Sequence, residues 1–172
     1  MKRLLLALLL ALGVDGDAAA ELHPFTAGSL PAIKSRFAGR PFILTLWSLS
    51  CHHCAKELQL LGRLARADGG LPLVLISTDT PADAPALRDA LKRHGLDRVD
   101  TWVFADAVPE RLRYVIDPAW HGELPRSYLF DAAHQREAHS GLLNEARLRA
   151  WLKRHRPAAR SRFLNREQHH ET

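Results

Sequence analysis

A chain of 172 residues with 47% hydrophobic content is long and apolar enough for one compact domain with an ordinary core. The formal net charge of +5 would suit a nucleic-acid ligand, but Lys and Arg are scattered rather than clustered, so no nucleic-acid partner is expected. The two cysteines, Cys51 and Cys54, make a poor structural staple, because the loop they close is tiny and removes little chain entropy.

Residues 1–20 read as an export signal, with Lys2 and Arg3 ahead of an apolar run over 4–14 and Ala18-Ala19-Ala20 as a small-residue cleavage site. The eleven residues of 4–14 are too few to span a bilayer. Export places the mature chain, beginning near Glu21, in an oxidising compartment, the periplasm, where a cysteine pair forms a disulfide. A membrane-tethered form with the signal retained stays open.

From Phe42 the chain alternates strands and helices. Phe42–Trp47 is a continuous β-prone apolar run bounded by Pro41, the pattern of a strand buried on both faces. Cys51-His52-His53-Cys54 follows, and then Leu58, Leu61, Leu64 and Ala65 recur at helical spacing until Gly69-Gly70. A second buried strand is expected over 73–76, an amphipathic helix over Ala84–His94 closed by Gly95, and a third strand over 101–104. Pro109 opens a short helix to Ile116. Residues 127–130 and Arg136–Ser140 read as a hairpin, and Asn144 as the N-cap of a last helix to His155, with Leu143 and Leu148 as its hydrophobic staple. The expected organisation is a signal over 1–20, an α/β domain over 21–155 with a mixed central sheet flanked by helices, and a basic, disordered tail over 156–172.

The cysteine motif sits between a buried strand and the start of a helix. There, unpaired backbone N–H groups and the macrodipole favour an anion, so the Cys51 thiol loses its proton more easily. Cys54, one turn on, is placed to attack a mixed disulfide on Cys51. Protonated His52 or His53 would further stabilise a Cys51 thiolate, which makes the disulfide more oxidising; the expected reduction potential is roughly −230 to −120 mV. A structural zinc site needs four ligands, and no second Cys or His pair stands at metal-binding spacing, so no metal site is expected. Copper held by the thiolates and histidines remains the rival, as in a copper-binding metallochaperone.

The strand Phe-Ile-Leu-Thr-Leu-Trp, Cys-His-His-Cys at a helix start, and Gly-Glu-Leu-Pro-Arg-Ser-Tyr-Leu-Phe-Asp over 122–131 resemble the TlpA/ResA group of thioredoxin-like thiol-disulfide oxidoreductases, across 25–152. The resemblance implies a thioredoxin-like fold and exchange of disulfides with protein thiols, with no dissolved cofactor. It makes Cys51 the exposed nucleophile and Cys54 the buried resolving thiol. It places Trp47 beneath the active site and Pro125 as a cis-proline facing the disulfide across a substrate groove, where Leu124 offers backbone groups to an extended substrate. An ordinary strand-start proline is the alternative for Pro125. Thr45 stands where thioredoxin has a proton-relaying aspartate, and Glu57 matches an acidic residue near the dithiol. Three residues after Cys54, Glu57 shares its helix face, so a partly buried carboxyl there would accept and return the Cys54 proton. Its alternative is a surface glutamate favoured by the helix dipole. Arg126-Ser127 replaces the family's usual Thr-Thr, implying a more cationic groove, which Trp120 and His121 would also line. The resemblance further implies a membrane-bound redox partner and a role in cytochrome c maturation or copper-centre assembly, whereas the His-His pair argues for an oxidase or isomerase.

Overall fold

The computed structural model of the protein describes residues 21–67 and 71–155. The signal segment 1–20, the Gly69-Gly70 stop and the basic tail 156–172 lie outside the described residues. In chain order the elements are β1 (Leu22–Phe25), α1 (Ser29–Arg36), β2 (Phe42–Trp47), α2 (His52–Ala67) and β3 (Leu73–Ser77), then a 3-10 turn (Pro81–Asp83) and α3 (Ala84–His94). They continue with β4 (Asp100–Phe104), α4 (Pro109–Ile116), β5 (Arg126–Phe130), β6 (Arg136–Ser140) and α5 (Glu145–His155).

The strands form one mixed sheet in the order β1-β4-β3-β2-β5-β6. β1, β4, β3 and β2 run parallel, and β5 and β6 are antiparallel additions beside β2. All six residues of β2 are buried, as its unbroken apolar run requires of a central strand covered on both faces. Alternation along β2 divides the core: Ile43 and Trp47 join a cluster built with α2, α3 and α5, while Phe42, Leu44 and Leu46 join one built with α1 and α4. At the opposite extreme, Arg136-Glu137-Ala138-His139-Ser140 forms a largely exposed edge strand, whose charged side chains suit an edge that must not pair with another chain.

Most of the expected elements are found within a residue or two. Asn144 caps α5, its side-chain oxygen accepting from Arg147 N–H at 3.0 Å, and Leu143 and Leu148 are both buried beside it. Gly95 closes α3 at φ 66°. The pattern reading singled out neither β1 nor α1. β1 carries Pro24, which the sheet accepts because β1 is an edge strand.

Helices α2 and α3 meet at Gly62, where an added Cβ would lie 2.0 Å from the carbonyl oxygen of His94. Backbone cannot yield as a side chain does. Gly62→Ala is therefore expected to lower the unfolding free energy of the oxidised protein by about 1–3 kcal/mol in urea titration, despite the usual helix-propensity gain of about 1 kcal/mol.

Candidate redox site

β2 ends at Trp47 on the parallel side of the sheet, and the turn Ser48-Leu49-Ser50 carries the chain to Cys51, immediately before α2. Cys51 and Cys54 form a disulfide with their Cα atoms 5.3 Å apart. Cys51 is partly exposed and Cys54 has no exposed surface, so the two sulfurs have different access to a partner. The backbone N–H of Cys54 points at the Cys51 sulfur at 3.2 Å, a donor placed to stabilise negative charge there. His52 and His53 are exposed, with their rings 5.8 Å apart.

The turn before Cys51 is clamped by a residue that the sequence reading passed over. Asp79, just after β3, accepts hydrogen bonds from the Ser48 hydroxyl and the Leu49 N–H, each at 3.0 Å, and from the Ser77 hydroxyl at 2.6 Å. Thr78 N–H adds a bond to the Trp47 carbonyl at 2.9 Å. An acid among hydroxyls after a buried strand was the only trace of this clamp in the sequence.

Glu57 is a buried carboxyl, with no exposed surface, one helical turn beyond Cys54. One carboxylate oxygen accepts from Leu143 N–H at 3.0 Å and the other from the Ser127 hydroxyl at 3.4 Å. Ser127 in turn lies 2.9 Å from the Thr45 hydroxyl, so the two departures from the resemblance, Thr45 and Ser127, belong to one buried polar chain that ends on Glu57. Burial pushes the Glu57 carboxyl up; the bonds from Leu143 and Ser127 and the charge of His139 oppose this only in part.

Arg126 is not the free cation that the resemblance implied. Its guanidinium is bound to Asp117 at 3.0 Å, to the Tyr128 hydroxyl at 3.2 Å, to Glu123 at 3.3 Å and to Ser140, and so serves as internal structure rather than a free groove cation. Burial pushes Asp117 up, but the Ala119 N–H, Arg126, Tyr128 and Arg136 outweigh it and hold the carboxyl below its ordinary value. Burial is also the main cause that pushes Tyr128 up to about 12. Trp120 is buried, its indole N–H donating to the Glu123 carbonyl at 2.9 Å, so it does not line an open surface; His121 is exposed. Trp47, 1% exposed, packs in the core with Cys54. Leu124 and Pro125 precede the first paired residue of β5 and are joined by a cis peptide bond. Leu124, partly exposed, packs against the same cluster as Cys51. Among the described residues, no three His, Cys, Asp or Glu side chains converge as metal ligands.

Burial holds the Glu57 carboxyl of the folded chain above its ordinary value of 4.5. Its contribution to stability is therefore full below that value and is lost as pH rises through the folded pKa, because the unfolded chain ionises first. Relative to Glu57→Gln, the oxidised wild-type protein is expected to lose unfolding free energy as pH rises from below 4.5 towards neutrality, as measured by urea unfolding across that range. Parallel curves for the two proteins would place the carboxyl in contact with water.

No family model matches the chain, and no curated protein matches it. Solved structures do. A secreted Mycobacterium tuberculosis disulfide oxidoreductase homologous to E. coli DsbE is 19% identical, with 70% of this chain and 85% of that one covered and a TM-score of 0.56. A thioredoxin-family thiol:disulfide interchange protein from Chlorobium tepidum TLS is also 19% identical, covering 71% and 83% with a TM-score of 0.56. A thio-disulfide isomerase from Thermus thermophilus is 21% identical, covering 66% and 77% with a TM-score of 0.51. With its mixed six-stranded sheet and flanking helices, the chain takes the thioredoxin-like fold of these structures.

Proposed function

We propose that this protein is an exported thiol-disulfide oxidoreductase acting on protein thiols or disulfides in the periplasm. The observation that carries this reading is the Cys51–Cys54 disulfide at the start of α2, with one sulfur accessible, the other buried, and a buried carboxyl one turn further on. The activities named for the structures of similar fold, disulfide oxidoreductase, interchange and isomerase, support it.

In the reducing direction the Cys51 thiolate attacks a substrate disulfide; one sulfur of the substrate leaves as a thiolate and the other stays bound to Cys51. Cys54 then passes its proton to Glu57, and its thiolate attacks the Cys51 sulfur, expelling the second substrate thiolate. The two departing thiolates take up the protons released by the dithiol. Two electrons and two protons have moved, and the enzyme is left as the disulfide. Running the same steps backwards oxidises a substrate dithiol. The Cys54 N–H and the helix start stabilise the Cys51 thiolate, His52 and His53 tune it from the surface, and an extended substrate segment lies along Leu124 and Pro125, with Trp47 supporting from beneath.

Export rests on the signal pattern of residues 1–20; among the described residues no helix is long and apolar enough to cross a membrane. In that compartment the reducing direction requires a membrane-bound electron donor, and cytochrome c maturation or copper-centre assembly are the processes such a reductant would serve.

In an insulin-reduction assay, Cys51→Ser is expected to fall to background, and Cys54→Ser to accumulate a mixed disulfide visible on a non-reducing gel. Turnover by Cys51→Ser would sink the assignment. Thiol alkylation of cells expressing the protein then sets the direction: a mostly reduced pair identifies a reductase, a mostly oxidised pair an oxidase.

A further inference from the structure

His139 lies on β6 directly across from Ser127 of β5, and therefore on the sheet face that meets α2. Its Nε2 is 2.9 Å from the Leu142 carbonyl oxygen. A carbonyl only accepts, so the imidazole carries a proton on Nε2, in the neutral tautomer or the imidazolium. The same peptide group that offers this carbonyl presents, at its other end, the Leu143 N–H that donates to Glu57 at 3.0 Å. One peptide unit thus bridges a partly exposed imidazole and a fully buried carboxyl. Donation to its oxygen polarises the unit and strengthens donation from its nitrogen, the cooperativity expected of hydrogen bonds in series.

We propose that His139 is a positioning residue for the proton step at Cys54, acting on Glu57 through the Leu142–Leu143 peptide group. The proton itself travels between the Cys54 thiol and the Glu57 carboxylate; His139 does not touch the sulfur. Its part is to fix the peptide that holds Glu57 and to favour the carboxylate, the form that accepts the proton. The charge of a protonated His139 acts in the same direction. The other groups in this neighbourhood are Cys54 from α2, Glu137 two residues along β6, and Arg147 of α5, which is paired with Glu137 at 3.3 Å. Arg126 is adjacent in β5 but points to the opposite face, where it binds Asp117. The inference rests on the reading of Glu57 as the proton carrier for Cys54.

The test uses two polar variants that differ in reach. The amide nitrogen of Gln matches the position of the imidazole Nε2, whereas that of Asn matches Nδ1 and falls short of the Leu142 carbonyl. Reduced protein is mixed with an aromatic disulfide whose thiolate is coloured, and the second phase, in which Cys54 expels the thiolate held on Cys51, is timed across pH. Relative to wild type, His139→Asn is expected to move the inflection of this phase upward by about half a pH unit or more, since Glu57 loses support for its ionised form. His139→Gln is expected to restore most of the wild-type profile. In a Glu57→Gln background, His139→Asn is expected to change nothing further. If Glu57→Gln shifts the profile while the Asn and Gln variants both match wild type, or shift equally, the role of His139 is overturned and that of Glu57 stands. If Glu57→Gln itself leaves the profile unmoved, both fall.

Discussion

The carboxyl of Glu57 is held by the Leu143 N–H and the Ser127 hydroxyl with none of its surface in water. Burying an ionisable group is costly unless its polar atoms are satisfied, and here the partners come from β5 and from the loop between β6 and α5. Those elements must therefore dock against α2 in one register. The antiparallel strands beyond β2 serve this end: they carry Ser127 beneath α2 and return the chain to Leu143. The turn that begins α2 delivers Cys54 and Glu57 to one side of the same helix, so the dithiol and its carboxyl inherit their relation from a single rigid element.

Two further polar clusters hold the borders of the site. On the side of β3, Asp79 ties down Ser48 and Leu49 before Cys51. On the side of β5, Asp117 gathers Arg126, Arg136 and the Tyr128 hydroxyl just after the Leu124–Pro125 bond. Neither carboxylate touches a sulfur. Both fix backbone that borders the cysteine pair and the cis-proline, one before Cys51 and one after Pro125.

The sequence was most legible where the signal is local. An unbroken apolar run announced β2, helical spacing announced α2 and α3, and Asn144 with Leu143 and Leu148 announced α5. The cysteine pair was legible as standing at a strand-to-helix junction because both its neighbours are strong patterns. Partnerships across the chain were not legible. Ser127 and Leu143 are 70 and 86 positions from Glu57, and only the β2–β5 and β5–β6 registers bring them together. Arg126 read as a groove cation because Arg126-Ser127 departs from the Thr-Thr of the resembled family, whereas in space its neighbours are Asp117 and Tyr128. Alternation along β2 turns Trp47 into the core beside Cys54. β1 was silent since four residues that include a proline carry no periodicity.

The most direct test is the reduction potential of the Cys51–Cys54 pair, measured by equilibration with glutathione as a function of pH in the wild-type protein and in Glu57→Gln. Stabilisation of the Cys51 thiolate at the helix start, with His52 and His53 beside it, leads to an expected two-electron potential of roughly −230 to −120 mV. That potential falls more steeply with pH through the range in which Glu57 titrates, because reduction places a thiol or thiolate beside the carboxyl and raises its proton affinity. That extra slope disappears in Glu57→Gln. Two proteins with the same pH dependence, or a pair that does not equilibrate with glutathione, would contradict the coupling on which this reading of the site depends.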